Sequence, residues 1–245
     1  MFFLTTSWDD GDILDIKLAN LLNIYNTKGT FYISKRYRAE HISDNQIREI
    51  SKCHEIGAHT ITHPDLRLVS KEEKKKEILG SKEWLEKITG KNIEMFCYPF
   101  GYYDKESVDV VKECGFSGAR TIENTNAGEI SNQFLMPVTL QVYPFPFRKK
   151  DDKSYYWGRL LQPLVQRYKG FYNIGVPLTS MISWESVAHS IVDKASIDGG
   201  IIHLWGHSWE IEKYGMWEEL EELLKYCSRF NDCKMITNSE SIKLL

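Results

Sequence analysis

Two runs of the chain carry residue types that do chemistry at spacings that suit it. The first is Phe2-Phe3-Leu4-Thr5-Thr6-Ser7-Trp8-Asp9-Asp10-Gly11, and the second, about fifty residues later, is His59-Thr60-Ile61-Thr62-His63. Adjacent carboxylates repel and are costly to desolvate, so they persist where a cation or a proton-transfer task separates their roles. A solvated Asp-Asp-Gly turn is the alternative. His-x3-His is a common metal-ligand spacing, and one oxygen ligand more would complete a three-ligand site with an open position for water. In zinc peptidases that spacing lies on a helix, with Glu directly after the first His. Here that residue is Thr60, and Ile61, the flanking threonines and Pro64 disfavour a helix interior. The pair is expected in a loop at a strand end.

At these residues the chain resembles the polysaccharide deacetylases, carbohydrate esterase family four. Ser7-Trp8-Asp9-Asp10-Gly11 is similar to the family's first motif, and His59 to His63, with Thr60 in place, is similar to its second, His-Ser/Thr-x-x-His. The resemblance implies Asp9 as general base and Asp10, His59 and His63 as ligands of a divalent metal, with zinc expected. Amide hydrolysis by a metal-bound water also needs a donor for the oxyanion and an acid for the leaving amine. The family takes the donor from a backbone N–H in its Arg-x-Pro-Phe/Tyr-Gly motif, which resembles Cys97-Tyr98-Pro99-Phe100-Gly101. This implies a role for Phe100, whereas the arginine that orients the base is replaced by Cys97. Arg120, on the following strand, is the candidate substitute, with a surface position as its alternative.

The family's late motif, an apolar strand ending in His, is similar to the stretch Ile201-Ile202-His203-Leu204-Trp205-Gly206-His207. Two histidines compete for the acid. His203 lies within the apolar run, as a core histidine would, and His207 follows Gly206 in a loop, so His207 is assigned the proton donor and Trp205 a place at the substrate. The Asp-Trp pair that supports this His in the family is not visible, and Glu210 or a nearby tryptophan is the candidate replacement.

The elements that must position these residues follow from periodicity. Leu14, Leu18, Leu21, Leu22 and Tyr25 fall on one helical face closed by Gly29, and Thr30 to Ser34 reads as a strand. Ser43 caps a second helix that Gly57 ends, and Ser70 with Glu73 forms a capping box for a third, stopped at Gly90. The charged run from Lys71 to Glu77 reads as that helix's solvated face. Strands are expected at Ile93 to Tyr98, near Phe116, at Leu135 to Val142 and near Met235 to Thr237, and helices around Val108, from Tyr155 to Tyr168, from Ser183 to Ala195 and through Trp217 to Cys227. This alternation predicts a distorted β/α barrel of about seven parallel strands over residues 1–245 as one domain, with the site at the carboxyl ends of the strands. The aromatic cluster Tyr143, Phe145, Phe147, Tyr155, Tyr156 and Trp157 offers a sugar platform or, as the alternative, packing under a long loop.

Composition narrows the classes. Hydrophobic residues at 42%, charged residues at 27% and a net charge of -3 give no reason to invoke nucleic acid or an anionic membrane surface. No stretch reaches the roughly 20 apolar residues of a membrane span. The five cysteines form no Cys-x2-Cys pair and read as reduced core thiols, and without a leader pattern the location expected is cytoplasmic. The expectation is a metal-dependent hydrolase that removes an N-acetyl group from an amino sugar or saccharide. Hydrolysis of a non-sugar amide, or a carbohydrate-binding relative without turnover, are the alternatives.

Overall fold

A computed structural model describes residues 1–124, 130–149 and 157–244. Its strands are β1 (Phe2–Asp10), β2 (Thr30–Ile33), β3 (Glu55–Ala58), β4 (Met95–Cys97), β5 (Gly118–Asn124), β6 (Met136–Val138), β7 (Leu140–Gln141), β8 (Gly200–Gly206) and β9 (Cys233–Ile236). The helices are α1 (Asp15–Ile24), α2 (Asp44–Ile50), α3 (Lys71–Thr89), α4 (Lys105–Glu113), α5 (Gln162–Asn173), α6 (Trp184–Asp198), α7 (Ser208–Tyr214), α8 (Trp217–Cys227) and α9 (Asn238–Ile242).

Eight strands run in the order β6-β5-β4-β3-β2-β1-β8-β7, and β9 pairs with β1. Every pairing is parallel. β6 and β7 are two halves of one extended segment that bonds β5 through Met136 and β8 through Leu140 and Gln141. Thr139 between them donates its N–H to the His203 carbonyl at 2.9 Å. The result is the expected barrel, nearly closed.

Period-2 alternation along β1 sorts its side chains. Phe2, Leu4 and Trp8 are buried in the apolar layer under the helices. Thr5, Ser7 and Asp9 meet polar partners instead: Asn238 at 2.7 Å, His203 at 2.8 Å and Arg120. The barrel interior is therefore polar along this file, and such groups are tolerated there only because each is paired. Helix α3 packs Ile78, Leu85 and Ile88 inward, starts on the Ser70–Glu73 capping box and stops at Gly90, which has φ 68°. Burying side chains of this size contributes roughly 1.5–3 kcal/mol each.

Several local expectations change. Gly57 does not end a helix; it lies inside β3, where a Cβ would come within 2.4 Å of the Tyr32 ring. A four-residue strand with Gly at its centre gives little periodic signal. Lys74 leaves the solvated run and is buried between Asp104 and Glu106, at 3.1 and 2.6 Å. Cys53 is exposed, unlike the core thiols Cys97, Cys114 and Cys227. The strand expected near Phe116 begins at Gly118, and the helix expected from Tyr155 is described from Gln162. Tyr155 and Tyr156 lie outside the described residues. Tyr143 packs against Tyr214 and Phe145 against Phe171, which leaves Phe147 as the exposed ring among the described side chains of that cluster. No helix among the described residues is long and apolar enough to cross a membrane.

Candidate active site

Asp9 and Asp10 end β1, His59 directly follows β3, Cys97 ends β4 and His207 directly follows β8. All stand at the carboxyl end of the barrel, which is where β/α folds build their sites. The backbone there is strained. Of the five non-glycine residues described with positive φ, four are Asp10 (86°), Thr60 (66°), His63 (59°) and Phe100 (57°). Each such residue costs about 1–3 kcal/mol and persists only where its surroundings enforce it. Gly11 continues the turn after Asp10 with φ 76°, and a Cβ there would meet Ile33 at 2.7 Å.

The histidine loop is held from two sides. Thr60 Oγ1 donates to the His59 carbonyl at 2.5 Å and accepts from the His63 N–H at 3.0 Å. Glu77 on α3 accepts the N–H groups of Ile61 and Thr62, each at 2.8 Å, and the Thr62 hydroxyl at 2.8 Å. Sequence reasoning missed Glu77 because it sits within a run of surface charges.

His59 Nδ1 lies 2.8 Å from the Cys97 carbonyl, which can only accept, so Nδ1 carries the proton and Nε2 keeps its lone pair. That Nε2 faces the Nε2 of His63 at 3.0 Å, and Asp10 Oδ1 is 3.8 Å from both. Burial pushes His59 below its usual range and His63 down to about 3, so both rings are neutral and each has a nitrogen lone pair to offer. Two neutral imidazoles and a buried carboxylate, with ligand atoms within 4.8 Å of one another, make a donor set that could hold a divalent cation. Asp9, His59 and Cys97 also cluster, but burial keeps the Cys97 thiol protonated and Arg120 occupies Asp9. The Asp10 set is the one that fits.

Trp209 Nε1 donates to Asp10 Oδ2 at 2.9 Å, which leaves Oδ1 facing the histidines. Arg38 lies over the Trp209 ring at 4.6 Å and pairs with Asp12 at 2.9 Å.

Arg120 is fully buried, and its Nη2 is bonded to Asp9 Oδ1. Its Cα partner in the β4–β5 register is Cys97. The surface alternative is thereby excluded, and Arg120 meets the Asp9 carboxylate rather than the mouth of the cavity. Burial raises the Asp9 pKa, but Arg120, His59 and His207 outweigh it and hold the carboxyl below its usual range. Trp205 is buried against Arg120, with the guanidinium 5.2 Å from its ring, and lines the cavity above.

His207 lines the same cavity, with Nε2 4.0 Å from Asp10 Oδ2 and Nδ1 2.6 Å from Glu210 Oε2. Burial opposes its charge, but the Glu210 hydrogen bond and the Asp10 carboxylate prevail and raise its pKa to about 9. His203 lies deeper, between Ser7 Oγ at 2.8 Å and the Pro137 carbonyl at 2.9 Å, and burial lowers it to about 3. Ser208, at the start of α7, donates to Asp15 at 2.5 Å and ties this loop to α1.

The cavity is about 250 Å³ and is also lined by Tyr37, Phe100 and Trp209. Tyr37 stacks on His63 at 4.0 Å, Phe100 meets the same ring edge-on at 4.5 Å, and Tyr102 follows 6.0 Å beyond Phe100. All three tyrosine and phenylalanine rings are exposed. The turn that aims Phe100 outward is closed by bonds from Gly101 and Tyr102, so its own N–H is outside them. A hollow of about 270 Å³ beside Lys28, Glu55 and Lys91 is lined by a separate set of residues. Glu55 there is half-buried and bonded to Thr30 and Ser239.

Residues 3–119 match the family model described as polysaccharide deacetylase. A peptidoglycan-N-acetylglucosamine deacetylase of Bacillus cereus is 30% identical over 97 residues, which are 39% of this chain and 35% of that protein. The match thus spans about a third of that relative's length. A putative polysaccharide deacetylase from Mycobacterium smegmatis is similar in structure with a TM-score of 0.67, over 99% of this chain and 89% of that one, at 16% identity. A family 4 acetyl xylan esterase from Clostridium thermocellum in complex with a cobalt ion gives 0.60 over 99% and 91%, also at 16% identity. At these identities the structural likeness speaks for the fold.

Proposed function

The chain belongs to the polysaccharide deacetylase family, and from that premise we propose that it is a metal-dependent hydrolase that removes an N-acetyl group from an amino sugar or saccharide. The observation that carries this reading is the pairing of Asp9 with Arg120 beside the Asp10, His59 and His63 trio, with His207 across the cavity. Zinc suits two imidazoles and one carboxylate. When bound, the cation supplies Lewis-acid activation of water and of the substrate carbonyl.

The remaining steps fall to the chain's own groups. Asp9, kept ionised by Arg120, takes a proton from the attacking water. The Phe100 N–H is the candidate donor to the developing oxyanion. His207, protonated near neutral pH, gives its Nε2 proton to the leaving nitrogen as the C–N bond breaks, so that acetate and a free amine result. Tyr37, Phe100 and Tyr102 supply ring faces at the mouth for the apolar side of a sugar. These rings take the part first considered for the aromatics around residues 143–157.

The test combines metal analysis with acetate release across a panel of N-acetyl saccharides and simple acetamides. Zinc-loaded protein is expected to release acetate from at least one saccharide in the panel. Asp9→Asn should keep the metal and lose turnover by about 10²–10⁴-fold. Release from acetamides alone, or full turnover in Asp9→Asn, contradicts the reading.

A further inference from the structure

Helix α5 stands between β7 and α6 and takes no part in the chemistry so far described. One of its side chains nevertheless connects to the acid. Arg167 Nη2 donates to Gln141 Oε1 at 2.5 Å, Gln141 Nε2 donates to Glu210 Oε2 at 3.4 Å, and the same Oε2 lies 2.6 Å from His207 Nδ1. We infer that Arg167 is a positioning residue for the leaving-group acid: through Gln141 it holds Glu210 against His207, and so aims the imidazole at the substrate nitrogen. The inference rests on the deacetylation proposed above.

The argument turns on the amide of Gln141. Its backbone is fixed, because it pairs with Trp205 in the β7–β8 register and its carbonyl accepts from Trp184 Nε1 at 2.8 Å. Its side chain has two faces, an oxygen that accepts and a nitrogen that donates, related by a half-turn. A guanidinium can only donate, so Arg167 fixes the oxygen on its own side and leaves the NH2 for Glu210. Without that constraint the amide is free to turn its oxygen toward a carboxylate that cannot donate. Glu210 would then keep His207 as its sole partner in this chain of bonds and lose a fixed orientation. Arg167 is itself held, with its guanidinium 4.9 Å from the Tyr143 ring, and Tyr143 packs on Tyr214 of α7. The helix that carries Glu210 and the helix that carries Arg167 thus meet through one polar link and one aromatic one.

A positioning role for the acid has a signature that a merely structural role lacks. An amine leaves only with a proton, whereas 4-nitrophenolate leaves without one. The zinc-loaded protein would be assayed on tetra-N-acetylchitotetraose and on 4-nitrophenyl acetate, as wild type, Arg167→Leu, Gln141→Met and Arg167→Lys. Gln141→Met cuts the link without removing a charge, so it keeps the test if Arg167→Leu does not fold. Arg167→Leu and Gln141→Met are expected to lower kcat on the amide about tenfold or more, with KM changed less than about twofold and the ester rate within about twofold. Arg167→Lys, which restores a donor, should recover most of the amide rate. Equal losses on both substrates, or an amide rate that does not fall, overturn the inference while leaving the deacetylase reading intact. A wild type that cleaves the ester but no N-acetyl saccharide overturns both.

Discussion

Cys97 and Arg120 stand opposite each other in the β4–β5 register, and the positive charge absent from the first arrives at Asp9 from the second. A guanidinium is long enough for the charge to move one strand around a barrel without changing where it ends. The carboxylate it meets is buried, so the pair is an obligate one: either partner alone is an uncompensated charge in a low-dielectric site.

Arg120→Met is therefore expected to destabilise the protein by about 3–5 kcal/mol at pH 7, as for other broken buried pairs. The pH dependence has a definite sign. Asp9 in the wild type has a depressed pKa, so its contribution is present above the ordinary carboxyl value of 3.8 and is lost as pH falls through the lower folded value. In the variant burial acts without the guanidinium and the folded pKa rises, so the stability gap between the two proteins narrows on acidification. Urea denaturation at pH 7 and pH 4 measures both, and a gap that does not change with pH would show that the two charges are not coupled.

His203 and His207 are separated by four positions and shifted in opposite directions, to about 3 and about 9. His207 contributes stability below the unfolded value of 6.5 that is lost as pH rises through about 9, and its charged form is the one that donates. His203 takes up a proton only when unfolded between 6.5 and about 3, so its folded environment costs stability as pH falls through that window. The pH–rate profile should fall on an alkaline limb set by His207, and Glu210→Gln should move that limb toward lower pH. His203→Asn should leave it in place and flatten the acid side of the stability curve. A limb that moves in His203→Asn and stays in Glu210→Gln reverses the two assignments.

Tyr102 lies outside the cavity, in line with Phe100, with Arg67 over its ring at 4.0 Å. A sugar beyond the acetylated unit would stack there. Tyr102→Ala should raise KM for a tetrasaccharide by about 2–10-fold, the worth of one aromatic contact of about 0.5–1.5 kcal/mol, with little change for a monosaccharide. Equal effects on both would place Tyr102 in the general packing of the turn instead.

The parts of the site readable in sequence are those whose chemistry is local. Asp9-Asp10-Gly11 and His59 to His63 carry their own spacing, and the capping boxes at Ser43 and Ser70 mark helix starts within four residues. What depended on register was harder to read. Arg120 lies 111 positions from Asp9, and only the β4–β5 pairing decides that it points inward. Glu210 was visible as a candidate partner because it lies one helical turn beyond His207, whereas Gln141 and Arg167, which back it, come from another strand and another helix. Helix α9 escaped because five residues are too few for a periodic signal, although its Asn238 bonds Thr5 and Tyr32 inside the barrel.

Glu77 is the residue whose surroundings in the sequence conceal it most. It takes two backbone N–H groups and one hydroxyl from the histidine loop, so it replaces the bonds that a strained turn cannot make within itself. It touches neither His59 nor His63, and its effect on them acts through the loop. Glu77→Ala should lower zinc affinity by about 10–100-fold, the scale of losses when a group supporting metal ligands is removed. Glu77→Gln can keep an oxygen on the two backbone N–H groups and loses the acceptor for the Thr62 hydroxyl, so it should fall between Glu77→Ala and the wild type. Competition with a chelator measures the affinity directly, and thermal unfolding of the metal-free protein separates it from stability. If Glu77→Ala binds zinc as tightly as the wild type, the loop holds its shape without α3, and Thr60 alone sets the geometry of the pair.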